Sequence, residues 1–153
     1  MRRRYAEDTE VPVASSQADL QRLVIRAGAD QCAVAWDQTQ GAAVRFRLAG
    51  RYAQLHVPPP TGKKLAELRL RRPRTDDREI ADQEERRCWR ALLLLVKAKL
   101  EAIESGITTA EREFMPDLLL ADGRRLEQWA APELAAMYET GSLPALPAIG
   151  SHR

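Results

Sequence analysis

Three short segments in which apolar and polar residues alternate follow one another between residues 31 and 57, without a helical pattern between them. Alternation with a period of two predicts strands that bury one face. Because these strands are grouped and do not alternate with helices, they predict a small antiparallel sheet of three or four strands in an α+β domain. The buried faces would carry Cys32, Val34 and Trp36, then Val44, Phe46 and Leu48, then Ala53, Leu55 and Val57.

The turn between the second and third strands sets the expected pairing. Gly50 followed by Arg51 is interpreted as a two-residue hairpin loop of type II′, which takes glycine in its first position. The third strand must end before Pro58, because proline cannot donate a ladder hydrogen bond. The expected pairs are Val44 with Val57 and Phe46 with Leu55 on the buried face, and Arg45 with His56 and Arg47 with Gln54 on the other.

Helical patterns flank the sheet on both sides. Ser16 followed by Asp19 resembles a capping box, which predicts a helix that begins there and ends at Gly28. A single long helix is predicted over residues 77–105 and is expected to pack across the apolar face of the sheet. Its first half, through Arg87, is nearly all charged and is expected to project into solvent or toward a partner. Residues 92–96 are apolar nearly all round, so we expect C-terminal segments to cover the side that faces away from the sheet.

The C-terminal part is predicted to contain one or two further helices. Thr108 and Glu111 suggest a capping box for a short helix that ends at Phe114. A turn is expected at Asp122-Gly123. A helix over residues 125–140 should break near Pro132 and end at Gly141, since proline is unfavourable in a helix interior.

The chain of 153 residues corresponds to one domain. Within it we distinguish an N-terminal arm (1–14), a helix with the three-stranded sheet (15–60), a basic connector (61–76), a helical part (77–141) and an extended tail (142–153). Its 24 basic and 22 acidic residues exclude a histone-like polycation. No apolar run approaches the roughly 20 residues of a spanning helix, and no signal peptide pattern opens the chain. We therefore expect a cytoplasmic protein that does not bind membranes.

The residues that enzymes and metal sites require are sparse in this sequence. His56 and His152 are the two histidines, and Cys32 and Cys88 match no metal-ligand spacing. No glycine-rich phosphate loop or nucleophile elbow is present. The sequence therefore predicts a non-catalytic protein without a metal or cofactor and without a small-molecule substrate.

Two basic regions indicate nucleic-acid binding. The outer face of the predicted sheet would present cationic and aromatic groups suited to phosphates and bases. The connector adds a cluster of positive charge that could neutralise phosphates of DNA or RNA. A solvated sheet face and a solvated linker explain the same residues equally well. The candidate nucleic-acid-binding residues are Arg45, Arg47, Tyr52 and His56 on the sheet, and Lys63, Lys64, Arg69, Arg71, Arg72 and Arg74 in the connector.

The alternative hypothesis is a protein-binding module that oligomerises or inhibits a host complex, such as a defence system. It rests on the long helix. The first half of this helix carries charges of both signs, and the apolar Leu94 beyond it points away from the other apolar residues of the helix. The candidate partner-binding residues are Arg86, Arg87 and Leu94.

The chain also resembles small proteins encoded by bacteriophages and prophages. The resemblance is carried by the sequences Arg4-Tyr5-Ala6 with Thr9, Val11 and Val13, Trp89-Arg90-Ala91-Leu92-Leu93-Leu94 with Lys97 to Ala102, Gly106-Ile107-Thr108, and Asp122-Gly123-Arg124 with Trp129 and Pro132. It covers nearly the whole chain and implies a phage product in a bacterial cytoplasm. It implies no activity and no functional residues, and the basic connector lies outside the matching pattern.

Overall fold

A computed structural model describes residues 4–141 of the chain. The predicted α+β fold is confirmed: three antiparallel strands in the order β1-β2-β3 are combined with five α-helices, one of them long. The predicted tail from Ser142 lies outside the described residues. In chain order the elements are α1 (Val13–Arg26), β1 (Gln31–Asp37), β2 (Gly41–Leu48), β3 (Arg51–Val57), α2 (Gly62–Arg71), α3 (Asp77–Glu104), α4 (Ala110–Phe114), a 3-10 turn (Met115–Asp117) and α5 (Leu126–Thr140).

Each strand residue lies on its predicted face, but Val34 and Trp36 of β1, which were expected to be buried, are exposed. The pairing of β2 with β3 was predicted wrongly by two residues. Leu48 pairs with Arg51, so the loop consists of Ala49 and Gly50, not of Gly50 and Arg51. Their φ angles are +50° and +75°, and two positive values are typical of a type I′ turn. A shift of two residues leaves every side chain on its predicted face. The observed pairs are Val44 with Leu55, Phe46 with Ala53, Arg45 with Gln54 and Arg47 with Tyr52.

The hydrophobic core lies between the inner face of the sheet and the helices α1 and α3. Phe46 from β2 and Trp89 from α3 are fully buried, together with Leu20 and Val24 of α1. Phe114, which ends α4, contacts Phe46 edge to face with ring centroids 5.2 Å apart. Burial of each such side chain stabilises the fold by about 1.5–3 kcal/mol.

The start of α1 differs from the prediction, whereas its end agrees. The helix begins at Val13 after Pro12, so Ser16 lies inside it and its side chain is buried against the core. The Ser16 hydroxyl therefore caps nothing. Gly28 adopts a φ of +100°, and the N–H of Ala29 donates to the carbonyl of Val24, which ends the helix where predicted.

The first half of α3 was predicted to project into solvent or toward a partner, but part of it is buried. Asp76 caps the helix by accepting a hydrogen bond from the N–H of Arg78 at 3.2 Å. Ile80 and Glu84, one and two turns further on, are both buried. They are covered by the arm and by α2, which contributes the buried Leu68. A charge-rich segment was thus expected to project away from the protein, although part of it faces the protein.

The C-terminal part departs from the prediction in two respects. The cap of α4 is Thr109, one residue after the predicted Thr108. The helix α5 continues through Pro132, where we predicted a break. Proline removes one helical hydrogen bond, and the carbonyl of Gln128 that loses its partner can bind water because Gln128 is exposed. The predicted turn at Gly123 and the helix end at Gly141 agree with the structure.

A short segment extends the sheet beyond β3. Leu118 forms an antiparallel bridge with Ala53, and the N–H of Leu119 donates to the carbonyl of Tyr52 at 2.9 Å. Leu119 also bridges Arg125, immediately before α5. This segment contacts the β3 edge of the sheet at Tyr52 and Ala53 and holds the start of α5.

Within residues 4–141, no helix combines the length and the apolar character that crossing a bilayer requires.

Candidate interaction surfaces

The outer face of the sheet, which points away from α1 and α3, brings the four predicted sheet residues together. Arg45 and Arg47 of β2 lie beside Gln54 and Tyr52 of β3. Arg45 donates to the Gln54 side-chain oxygen at 3.0 and 2.8 Å, an uncharged acceptor that leaves its positive charge uncompensated. The small Ala33 and Ala35 of the neighbouring strand leave the surface beside Arg45 flat.

Arg47, in contrast, is paired with a carboxylate. Its Nε donates to Asp30 Oδ1 at 2.8 Å, and this hydrogen bond lowers the pKa of Asp30. The same guanidinium lies 5.8 Å from the centre of the Tyr52 ring, whose hydroxyl donates to Gln31 at 2.7 Å. Arg47 therefore contributes little net positive charge to the outer face.

His56 adds no charge to this face at neutral pH. Burial is the main cause that lowers its pKa, and the positive charge of Arg125 lowers it further, with Glu127 opposing. One ring nitrogen, Nε2, lies 3.1 Å from the Gln54 side-chain nitrogen. The neutral imidazole thus takes part in the hydrogen-bond network of the outer face.

The basic connector contains the helix α2, which the sequence analysis did not predict, and most of its charges are neutralised. Arg69 pairs with Asp77 at 3.2 Å and Lys64 with Glu67 at 3.5 Å. Within the described residues, Lys63 and Arg74 are exposed and have no ion-pair partner. Two further pairs fix α2 to the arm, Arg71 with Glu7 at 3.8 Å and Arg72 with Asp8 at 2.7 Å.

Two of the three predicted partner-binding residues are committed to contacts inside the protein. Arg87 donates to both carboxylate oxygens of Glu84, at 3.0 and 2.9 Å. Arg86 donates to the side-chain oxygen of Gln83 at 2.6 Å. Leu94 is 45% exposed, so the expected cover by C-terminal segments was wrong. It lines a groove of about 570 Å³ between α1 and α3.

Among the described residues, the helix α5 carries the largest group of exposed apolar side chains; the helix was predicted, but this surface was not. Four of its large apolar residues are between 52% and 69% exposed, and none of its residues is buried. Its charged residues are all acidic: Glu127, Glu133 and Glu139. The sequence offered a signal, since apolar residues surround this helix without forming the single stripe of a core-facing helix. The four exposed residues are Trp129, Leu134, Met137 and Tyr138.

The described part of the chain contains no cluster of metal-binding side chains. No group of three or more His, Cys, Asp or Glu side chains within residues 4–141 could hold a metal ion. Burial raises the pKa of the Cys32 thiol and is the main cause that raises the pKa of the Cys88 thiol. Both thiols therefore stay protonated at neutral pH and are poor nucleophiles.

Comparison with known proteins found no match among protein-family models, curated proteins or solved structures. The resemblance to phage-encoded proteins therefore stays a prediction.

Proposed function

We propose that the protein is a non-catalytic protein-binding module and that α5 is its contact helix. The observation that carries the proposal is the exposure of Trp129, Leu134, Met137 and Tyr138 on a helix without a buried residue. Monomeric soluble proteins rarely leave an apolar group of this kind open, and such groups mark interaction sites. Trp, Tyr and Met are also enriched where protein surfaces meet.

The chemistry of α5 defines the partner. A helix with apolar side chains at several positions can lie in an apolar groove of another protein. Because the charged residues of α5 are all acidic, the groove should be edged by Lys or Arg side chains. The resemblance to phage-encoded proteins leads us to expect a bacterial host protein as the owner of that groove.

The attachment of α5 supports the same role. The segment Leu118–Leu119 fixes its start to β3, and the N–H of Arg125 donates to the side chain of Gln128 at 2.9 Å. The helix is therefore anchored at one end while its apolar surface stays open. A contact helix held in this way loses less conformational freedom on binding than a free peptide would.

The test is capture from nuclease-treated bacterial lysate with matched variants. The wild-type protein and the double variant Trp129→Ser/Met137→Ser are immobilised, with Leu94→Ser as a control that removes one exposed apolar residue from α3. We expect a lysate protein to bind wild type and Leu94→Ser but not the double variant. The same protein should also fail to bind Glu133→Lys. Retention of the same proteins by the double variant, or of none by wild type, would contradict the proposal.

Nucleic-acid binding is a second candidate, favoured by one observation on the outer face. The Arg45 guanidinium is hydrogen-bonded to an amide, not a carboxylate, and Tyr52 is partly exposed on the same face. Arginine can contact phosphates and a tyrosine ring can stack on a base. Fluorescence anisotropy with single-stranded and duplex DNA and RNA at about 50 mM and 200 mM salt tests it, since phosphate contacts weaken with salt.

Arg45→Ala should weaken that binding, whereas Arg69→Ala should change it little because Arg69 is already paired with Asp77. No binding at the lower salt concentration would remove this candidate.

A further inference from the structure

The open edge of the sheet is the strand β1. Within residues 4–141 it pairs only with β2, whereas part of the β3 edge, at Tyr52 and Ala53, is contacted by the segment Leu118–Leu119. Proteins commonly protect an edge strand with lysine, proline or a bulge. Residues 31–36 contain no charged residue and no proline, so this edge lacks that protection.

The apolar side of β1 also continues beyond the cover of the helices. Val34 and Trp36 point to the same face as the buried Val44 and Ala42, with which they pair. Nevertheless Val34 is 40% and Trp36 is 69% exposed. The core face of the sheet is therefore incomplete along β1.

The helix α1, which lies over β1, has two sides of opposite character. Its charged side faces α3: Asp19 lies 4.0 Å from Arg90, and Arg22 and Arg26 line the groove between the two helices. At 100° per residue, a second side, centred about 120° around the helix from the charged one, consists of Ala14, Gln17, Ala18, Gln21 and Ile25, and none of these is charged. Because α3 lies toward β3, this uncharged side lies toward the open edge of β1.

The hydrogen-bond alternation of the sheet determines which backbone groups the open edge presents. Leu48 and Arg51 flank a two-residue loop and form a hydrogen-bonded pair. Starting from Leu48, the backbone N–H and C=O groups of every second residue of β2 are therefore hydrogen-bonded to β3. The residues between them bond to β1. It follows that the N–H and C=O groups of Cys32, Val34 and Trp36 point away from β2, toward the open edge.

We propose that the protein forms a symmetric homodimer in which β1 pairs antiparallel with β1 of a second copy, centred on Val34. In this register Val34 faces Val34 of the second copy and Cys32 faces its Trp36, so each outward backbone group finds a partner. The two sheets become one of six strands. Trp36 and Val34 are then covered, and the uncharged sides of the two α1 helices approach each other. Depletion of charge is what distinguishes the centre of a protein interface.

This proposal does not depend on α5, and cysteine cross-linking tests it separately. Both native cysteines are first replaced by serine, and then either Val34 or Ala33 is replaced by cysteine. Residues in a hydrogen-bonded pair have Cα atoms about 5.5 Å apart, within the range of about 4.4–6.8 Å that disulfides need. In the proposed dimer, the Ala33 Cα atoms of the two copies are offset along the strands and lie about 8 Å apart. We expect Val34→Cys to form a covalent dimer under mild oxidation and Ala33→Cys to stay monomeric.

Light scattering supplies the second readout. Wild type should have the mass of two chains, and raising the salt concentration should not dissociate it because the surface is uncharged. Val34→Pro removes an outward N–H without touching the β2 ladder and should give a monomer, whereas Val34→Thr, which keeps the N–H and the shape, should remain dimeric. Circular dichroism checks that each variant folds.

A wild-type protein that is monomeric at every concentration measured would overturn the proposal. Equal cross-linking at both cysteine positions would do the same. A dimer that Trp129→Ser/Met137→Ser dissociates and Val34→Pro does not would assign self-association to α5 and reject the β1 edge.

Discussion

Arg4 and Glu84, eighty positions apart in the chain, are joined by two hydrogen bonds of 3.1 and 3.0 Å. Arg87 donates two more to the same carboxylate, whose side chain is only 6% exposed. Gln83 also donates to the backbone carbonyls of Glu7 and Thr9, both at 3.0 Å. These contacts fix the N-terminal arm across α3 and explain why part of a charge-rich helix is buried.

Glu84→Gln should destabilise the protein by about 3 kcal/mol at neutral pH, because it leaves two partly buried guanidinium groups without an anion. The exposed Glu79→Gln should change stability by less than about 0.5 kcal/mol. Urea unfolding of the two variants and wild type measures the difference. An equal effect of both substitutions would contradict the role of Glu84.

The same carboxylate predicts how stability depends on pH. Burial raises the pKa of Glu84, but the hydrogen bonds from Arg87 and Arg4 outweigh it, and the net pKa is lower than usual. A lowered folded pKa stabilises the protein above the unfolded pKa of about 4.3, and this contribution is lost as the pH falls through the folded value. As the pH is lowered from about 7 to about 3, the measured unfolding free energy should fall less steeply for Glu84→Gln than for wild type.

Gly41→Ala should be among the most destabilising single substitutions. Gly41 has a φ of +84°, and an added Cβ would lie 2.3 Å from the carbonyl oxygen of Val57 and 2.7 Å from Pro59. Gly28 has a φ of +100° but no atom within 4 Å of such a Cβ, so Gly28→Ala measures the backbone strain alone. We expect a loss of about 1 kcal/mol for Gly28→Ala and more than about 3 kcal/mol for Gly41→Ala, by chemical denaturation.

Trp89 and Trp129 should differ strongly in how much their truncation destabilises the protein. Trp89 is fully buried in the core, and Trp89→Ala should destabilise the protein by about 3–5 kcal/mol. Trp129 is exposed on α5, and Trp129→Ala should change the unfolding free energy by less than about 0.5 kcal/mol. Thermal and urea unfolding compare the two. A large loss for Trp129→Ala would mean that α5 is packed against the rest of the protein.

The turn between β2 and β3 offers a stabilising substitution. Ala49 is exposed and has a φ of +50°, a conformation that costs an alanine about 1 kcal/mol. Asparagine tolerates this conformation and precedes glycine in type I′ turns. Ala49→Asn should raise the unfolding free energy by about 0.5–1 kcal/mol. Ala49→Val, which is β-branched, should lower it.

The sequence predicted the faces of the strands but not their pairing, and the reason is physical. Alternation fixes which side of the sheet a residue occupies, and a shift of two residues, as in pairing Phe46 with Ala53 and not with Leu55, leaves that side unchanged. The choice between the two pairings depends on whether Ala49 accepts a positive φ. That cost, about 1 kcal/mol, leaves no trace in the alternation, because both pairings bury the same face of each strand.

The interaction surfaces were harder to predict, because periodicity counts apolar residues without showing what covers them. The apolar residues of α5 and of 92–96 were expected to cover one another, but α5 lies elsewhere and leaves Leu94 exposed. The cations of the connector form a cluster in the sequence, but two of their acidic partners, Glu7 and Asp8, are more than sixty residues away in the chain. Such long-range pairing leaves no trace in local composition.

The segment Leu118–Leu119 has a consequence for how far assembly can proceed. A sheet that is open on both edges can add copies without end and grow into a fibre. Here Leu118 and Leu119 contact β3 at Ala53 and Tyr52, which shortens the stretch of that edge left for an incoming strand. In the proposed dimer, the few residues that anchor α5 would thereby also disfavour the addition of further subunits.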